Sequence, residues 1–225
     1  MLDFINPYLW GVALRNLLYD LKLIKPCKLN AFVISVGNLA VGGTGKSSLV
    51  RYLAQNLSKE FHTCILSRGY KRKSKGTLLV SYRGDIKTHW EEAGDEPYML
   101  AKVLKDVSVV VDEKRCRGGL FATEELKAEV VILDDGFQHR RIYRDIDLLL
   151  IKEKDLKDHL LPFGRLREPL TSLRRASAVI LSYQDIKEWD INVEKPTFKL
   201  YRKDWKVINS LGYAVENFQE MEFIA

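Results

Sequence analysis

The run Ala31-Phe32-Val33-Ile34-Ser35-Val36 passes directly into Gly37-Asn38-Leu39-Ala40-Val41-Gly42-Gly43-Thr44-Gly45-Lys46-Ser47-Ser48, and from there into a stretch of helical periodicity. A β-branched strand, a glycine-rich turn and a helix in that order constrain the chain to a parallel βα unit. The turn follows the template G-x-x-x-x-G-K-[ST] at Gly45, Lys46 and Ser47, with Ala40 where the first glycine would stand. Gly42, Gly43, Thr44 and Gly45 can wrap backbone N–H groups around oxyanions. The helix opened by Lys46, Ser47 and Ser48 turns its positive end towards the same point. Lys46 then reaches terminal phosphates, and the Ser47 hydroxyl can ligate Mg2+. No Asn-Lys-x-Asp string, the usual guanine-reading element, occurs in the chain, so ATP is the expected nucleotide.

The acidic partner of this loop is Glu129-Val130-Val131-Ile132-Leu133-Asp134-Asp135-Gly136, an apolar strand that ends in two carboxylates. Ligands of open α/β sheets collect at the C-terminal ends of strands. Asp134 and Asp135 are therefore expected near the metal, directly or through water. Further apolar runs at 63–67, 78–81, 107–111, 148–151 and 178–182 alternate with helical stretches at 46–58, 96–105, 113–126 and 168–176. Several runs are apolar throughout, as strands covered on both faces must be. The expected fold is α/β and P-loop NTPase-like: a mostly parallel sheet with helices on both faces, an N-terminal amphipathic helix and a C-terminal β-ribbon. The ribbon is placed at 196–216, after which the chain stops at Phe223-Ile224-Ala225 in what reads as the opening of another strand. The predicted division is a helix at 1–28, a P-loop core at 29–195, and a ribbon with the start of a second lobe at 196–225.

At 225 residues and 46% hydrophobic, the chain can bury one sizeable core with an appendage, which excludes disordered and fibrous classes. Its formal charge of +6 favours anionic partners without choosing among them. Nothing calls for nucleic acid or for an obligate protein partner. Cys27, Cys64 and Cys116 are far apart and form no CxxC pair, so neither a disulfide framework nor a zinc knuckle is expected, and a reducing cytoplasm is the simplest setting. The histidines 62, 89, 139 and 159 have no partners at ligand spacing.

Near the N-terminus a helix is expected after Pro7, ending before Pro26. Its uncharged stretch, Phe4 to Leu14, is far shorter than the roughly 20 residues that span a bilayer. Two readings stay open: a helix packed on its own domain, or one lying in a lipid interface with Tyr8 and Trp10 as anchors.

Five ordered blocks closely resemble the tetraacyldisaccharide 4'-kinases, the lipid A kinases. They are Ser35-Val36-Gly37-Asn38-Leu39 with Gly42-Gly43-Thr44-Gly45-Lys46, Leu66-Ser67-Arg68-Gly69-Tyr70, Gly94-Asp95-Glu96-Pro97, Leu133-Asp134-Asp135-Gly136-Phe137-Gln138-His139-Arg140, and Leu161-Pro162-Phe163-Gly164-Arg165-Leu166-Arg167-Glu168-Pro169-Leu170. The resemblance implies MgATP-dependent phosphorylation of the 4'-hydroxyl of an acylated glucosamine disaccharide 1-phosphate, at the cytoplasmic face of the bacterial inner membrane as a peripheral, monotopic enzyme. It gives Lys46 and Ser47 phosphate and metal roles, makes Asp95 the general base, and sets Arg68, Tyr70, Gln138, His139, Arg167 and Glu168 at the acceptor.

Read without the resemblance, Asp95-Glu96-Pro97 is a helix start with Asp95 as N-cap. The basic run Arg68 to Lys75 is a solvated loop, and Arg167-Glu168-Pro169 an ion pair at a helix start. Family members also carry a second lobe after the ribbon, with a histidine thought to support the catalytic carboxylate, and no residue here matches it. The expectation is a fragment of a longer protein, ahead of the alternative of a reduced form with impaired turnover. Two other readings are nucleotide and membrane binding without turnover, and a different P-loop NTPase such as a GTPase or ligase.

Overall fold

The computed structural model describes residues 6–201 and the backbones of Val207–Ile208 and Ala214–Val215. The helix α1 (Pro7–Asp20) comes first, capped by the Asn6 side chain, which accepts from the Tyr8 N–H at 3.0 Å, with proline in the first turn. Then follow β1 (Phe32–Asn38), α2 (Lys46–Leu57), β2 (Thr63–Ser67), β3 (Leu78–Tyr82), β4 (Asp85–Ile86), α3 (Trp90–Ala93), α4 (Asp95–Val103), β5 (Ser108–Val111), α5 (Arg115–Glu124), β6 (Val130–Asp134), β7 (Ile146–Ile151), β8 (Ala178–Leu181) and β9 (Thr197–Lys199). These nine strands form one sheet in the order β4-β3-β5-β2-β6-β1-β7-β8-β9. Along this order pairing is parallel from β5 to β9, and β3 alone runs against the others, pairing antiparallel with both β5 and the edge strand β4.

Successive strand residues feed opposite layers. Ile34, Val36, Ile65, Val109 and Ile132 pack with α2 and α4. Val33, Cys64, Leu66, Val110, Val131 and Leu133 pack with α5 on the other face. Both faces are therefore covered, which explains the absence of polar alternation in these strands. The central position of β1, between β6 and β7, brings the C-terminal ends of β1 and β6 side by side.

Three expectations are corrected. Residues 168–176 do not make an α-helix but a short 3-10 helix, Leu170–Arg175. The segment beginning at 196 does not start as a hairpin, because β9 extends the parallel sheet beside β8. An antiparallel pair does follow, Val207–Ile208 with Ala214–Val215, while the turn between them and the chain end lie outside the described residues. Third, Cys27 and Cys116 are disulfide-bonded with Cα atoms 6.0 Å apart, so α5 is stapled to the segment that follows α1. Spacing along the chain hid this pair, because 89 residues of folded sheet separate the two cysteines. Cys64 is free and buried, and burial pushes its thiol up to about 12.

A crosslink closing a loop of this size restricts the unfolded chain by up to about 4 kcal/mol, on the order of 10 °C in Tm for a domain of this length. Cys116→Ser should therefore lower the Tm of the oxidised protein by an amount of that order and abolish its response to dithiothreitol. Identical melting of the wild type with and without reductant would show that the bond contributes nothing.

Candidate functional site

Where β1 ends, the glycine-rich loop turns with Gly42 at φ 101° and Gly45 at φ 83°, left-handed conformations that favour glycine. Gly45 is also the N-cap of α2, so the helix opens without a side-chain cap and its first N–H groups face the loop. The loop is braced from behind. Asn38 Nδ2 donates to Thr44 Oγ1 at 3.0 Å. The Gly43 carbonyl accepts from Lys152 Nζ at 3.2 Å and from the Tyr183 hydroxyl at 3.0 Å, and the Thr44 carbonyl accepts from Ser182 Oγ at 2.7 Å. With these carbonyls satisfied by residues that directly follow β7 and β8, the loop holds its shape for an anion on its N–H side. A cavity of about 340 Å³ lies over it, walled by Lys46, Ser47, Glu96, Asp135 and Arg167. A second, of about 370 Å³, lies beyond Gly43 and is lined by Lys152, Tyr183, Ile186 and Trp189.

The two carboxylates at the end of β6 are held in opposite electrostatic states. Burial alone would raise Asp135, but Arg167 grips both its oxygens at 2.8 Å, Lys46 Nζ lies 3.6 Å away and Arg115 is close by. Together they hold its carboxyl down at about 2. Asp134 is almost fully buried, and that burial, with the nearby charge of Glu96, pushes it up to about 6 against Arg115 and a 3.1 Å hydrogen bond from Ser67. Its Oδ1 is buried without a hydrogen-bond partner.

The Ser47 hydroxyl donates to Glu96. Ser47, the unpartnered Asp134 oxygen and Glu96 are the donors that a hard divalent cation takes, with phosphate oxygens and water completing its shell. Among the described residues, no group of three or more His, Cys, Asp or Glu is arranged to hold a metal alone.

The remaining predicted site residues gather around this centre to different degrees. Asp95 is exposed and is the first residue of α4, with Gly94 rather than Asp95 as the N-cap. Gly94 has φ 89°, and a Cβ there would lie 3.0 Å from the Tyr70 carbonyl, so the loop after β2 packs against the start of α4. Tyr70, itself 76% exposed, is thereby a neighbour of Asp95. Arg68 is exposed. Gln138 donates to the Asn38 carbonyl at 2.8 Å. His139 is pulled down to about 4 by burial and by Arg115, Arg141, Arg144 and Arg68, so its imidazole is neutral at pH 7.

Glu168 is fully buried and spends its oxygens on Arg15, Asn16, Ser172 and Arg175, which locks α1 to the core. Sequence reasoning missed Glu96, Asn38, Arg115 and Lys152. Only Asn38 and Glu96 lay inside quoted blocks, and neither is a residue type the loop template asks for.

Residues 4–223 match the family described as Tetraacyldisaccharide-1-P 4'-kinase (LpxK). The chain is 54% identical over 223 residues to the tetraacyldisaccharide 4'-kinase of Aquifex aeolicus, covering 99% of this chain and 69% of that protein. Relatives of the same name from Halothermothrix orenii and Bacteroides fragilis are 43% and 40% identical. The chain spans 46% and 54% of their lengths, covering 76% and 90% of its own. A crystal structure of "apo" form LpxK from Aquifex aeolicus in complex with ATP superposes with a TM-score of 0.88 at 54% identity, over 96% of this chain and 68% of that one.

A carboxyl raised on folding penalises the folded state wherever it is ionised. For Asp134, stability is greatest when the group is protonated and falls as pH rises through about 6. Asp134→Asn should therefore stabilise the ligand-free protein by about 2 kcal/mol at pH 8, with the gain shrinking towards pH 4. Denaturant melts across that range check it, and a pH-independent difference would remove Asp134 as a buried charge.

Proposed function

The chain belongs to the tetraacyldisaccharide-1-P 4'-kinase family, and from that premise we propose that it transfers the γ-phosphoryl of ATP to the 4'-hydroxyl of an acylated glucosamine disaccharide 1-phosphate. The observation that carries this reading is the convergence of Lys46, Arg167 and the α2 N-terminus on one cavity. Phosphoryl transfer needs positioning and charge neutralisation more than covalent chemistry. Loop N–H groups and Lys46 bind the β- and γ-phosphates, and Arg167 supplies a second cation where charge builds on the transferred group. Mg2+ would be held by Ser47 and Asp134, with Asp135 and Glu96 beside it, and when bound supplies charge neutralisation between phosphates. The adenine enters the cavity beside Gly43, against Tyr183 and Ile186.

Asp95 stands at the start of α4 next to the Tyr70 loop, and there it orients the sugar hydroxyl and accepts its proton. Arg68, Tyr70, Gln138 and neutral His139 present polar contacts to the sugar, while Glu168 acts from behind by fixing Arg175 and α1.

Attachment to an anionic membrane surface is the reading that α1 supports. One of its edges is tied down by Glu168, by the Tyr8 hydroxyl on the Arg167 carbonyl, and by Arg140. Trp10, Leu14, Leu17 and Leu21 form the other edge, each more than half exposed. Spaced four, three and four residues apart, they make one apolar stripe suited to an interface. No described helix is long and apolar enough to cross a membrane.

Asp95→Ala should lower kcat about 10²-fold or more while leaving ATP affinity near normal, and Lys46→Ala should weaken both, read from radiolabelled ATP with the tetraacyl disaccharide. Undiminished transfer by the Asp95 variant would remove that residue from the mechanism. Substituting Leu14, Leu17 and Leu21 with Ser should reduce sedimentation with anionic liposomes, and unchanged sedimentation would return α1 to a purely structural role.

A further inference from the structure

At the far end of α1 from the glycine-rich loop, a cavity of about 340 Å³ opens among Tyr19, Arg140, Tyr143, Arg144, Asp147 and Arg175. Tyr143, Arg144 and Asp147 lie before and at the start of β7, and Ser177 just precedes β8. The cavity thus sits towards the N-terminal ends of these parallel strands, away from the nucleotide end of the sheet. It is strongly cationic. Around it, five arginines (15, 140, 144, 174 and 175) share three carboxylates, Asp20, Asp147 and Glu168.

Arg175 is the most telling member. Its Nη2 donates to Glu168 at 2.8 Å and its guanidinium stacks 4.2 Å over Phe137, yet Nε and Nη1 are buried with no hydrogen-bond partner. Leaving buried donors of a cation unsatisfied is costly. Arg140 and Arg144 line the same cavity beside it, and guanidinium groups are matched to phosphate oxygens. Arg140 stacks on Tyr19, and Lys28 lies over the Tyr143 ring at 5.9 Å, adding a further cation at the mouth.

We propose that this cavity binds the phosphodiester headgroup of an anionic membrane lipid. Tyr19 and Pro26 both line the cavity, and the chain between them carries the exposed apolar side chains Leu21, Leu23 and Ile24, so apolar surface flanks its mouth. Cationic pockets beside a lipid-facing helix take phosphate headgroups at the membrane surface. The site would fix how deep α1 lies and which way the protein faces on the bilayer. The inference deepens the interfacial reading of α1 and is independent of phosphoryl transfer.

The test uses a lipid that needs no bilayer. The full chain is titrated calorimetrically with dihexanoylphosphatidylglycerol below its micelle concentration, with dihexanoylphosphatidylcholine and with inorganic phosphate. The expected result is saturable binding of one phosphatidylglycerol per chain, tighter than either comparison ligand. Tyr143→Glu, at an exposed rim position, and Arg175→Lys should each weaken it about tenfold or more, with ATP affinity unchanged. An unshifted melting curve for Tyr143→Glu separates loss of binding from loss of fold.

Absence of saturable binding, indifference to both variants, or inorganic phosphate binding as tightly as the lipid would each overturn the assignment. Because no membrane is present, these results stand apart from liposome sedimentation. Retained sedimentation with no binding of soluble lipid would sink the cavity and leave the α1 stripe intact.

Discussion

At φ 51°, an unusual conformation for a residue with a side chain, Asp135 receives both ends of the Arg167 guanidinium and lies 3.6 Å from Lys46. This single carboxylate ties together three parts of the chain that are distant in sequence: the end of β6, the start of α2 and the segment before the 3-10 helix. Without it, two cations would face one another across the loop, at a cost that a partly buried site cannot absorb. The same arrangement prepares the loop for a polyphosphate. On the proposed reading, an incoming anion would find Lys46 and Arg167 already oriented, with little reorganisation left for the moment of reaction.

From Arg167 the network continues to its neighbour Glu168, whose buried carboxylate is satisfied by Arg15 and Asn16 of α1 and by Arg175. The helix that offers apolar side chains outward is therefore tied by one residue step to the cation over the nucleotide loop. On the proposed interfacial reading, α1 held this close to the loop would bring a soluble nucleotide to an acceptor embedded in lipid. It also gives Glu168 a clear physical role, since truncating it would leave two arginine partners uncompensated in a dry environment.

Much of this could be read directly from the amino-acid order. The strand, turn and helix from Ala31 to Leu57 declared themselves because glycine placement and a β-branched run are local signals. The same holds for Val130 to Asp134, and the fully apolar runs announced a two-face-covered sheet. Legibility stopped where partners are distant. Cys27 and Cys116 read as unrelated thiols, because only the packing of α5 beside the segment after α1 brings their Cα atoms within 6.0 Å. Glu168 read equally well as an acceptor contact or as an ion pair, and its three cationic or amide partners lie on elements 7 to 153 residues away. Glu96 was overlooked beside Asp95, since nothing local says which of two adjacent carboxylates will meet Ser47. The stretch at 168–176 misled for another reason: its periodicity is helical, but Pro169 holds an extended backbone and β8 opens at Ala178, and the residues between settle into 3-10 geometry.

The central claim is that the braced loop between β1 and α2 cradles a triphosphate with Lys46 and Arg167 as its cations. Isothermal titration of the folded wild-type chain with ATP, in the presence and absence of Mg2+, tests this most directly. One nucleotide bound per chain, with affinity that falls sharply when the cation is withheld, is the outcome expected. A sample that melts cooperatively yet gives no magnesium-dependent heat with ATP would contradict the claim.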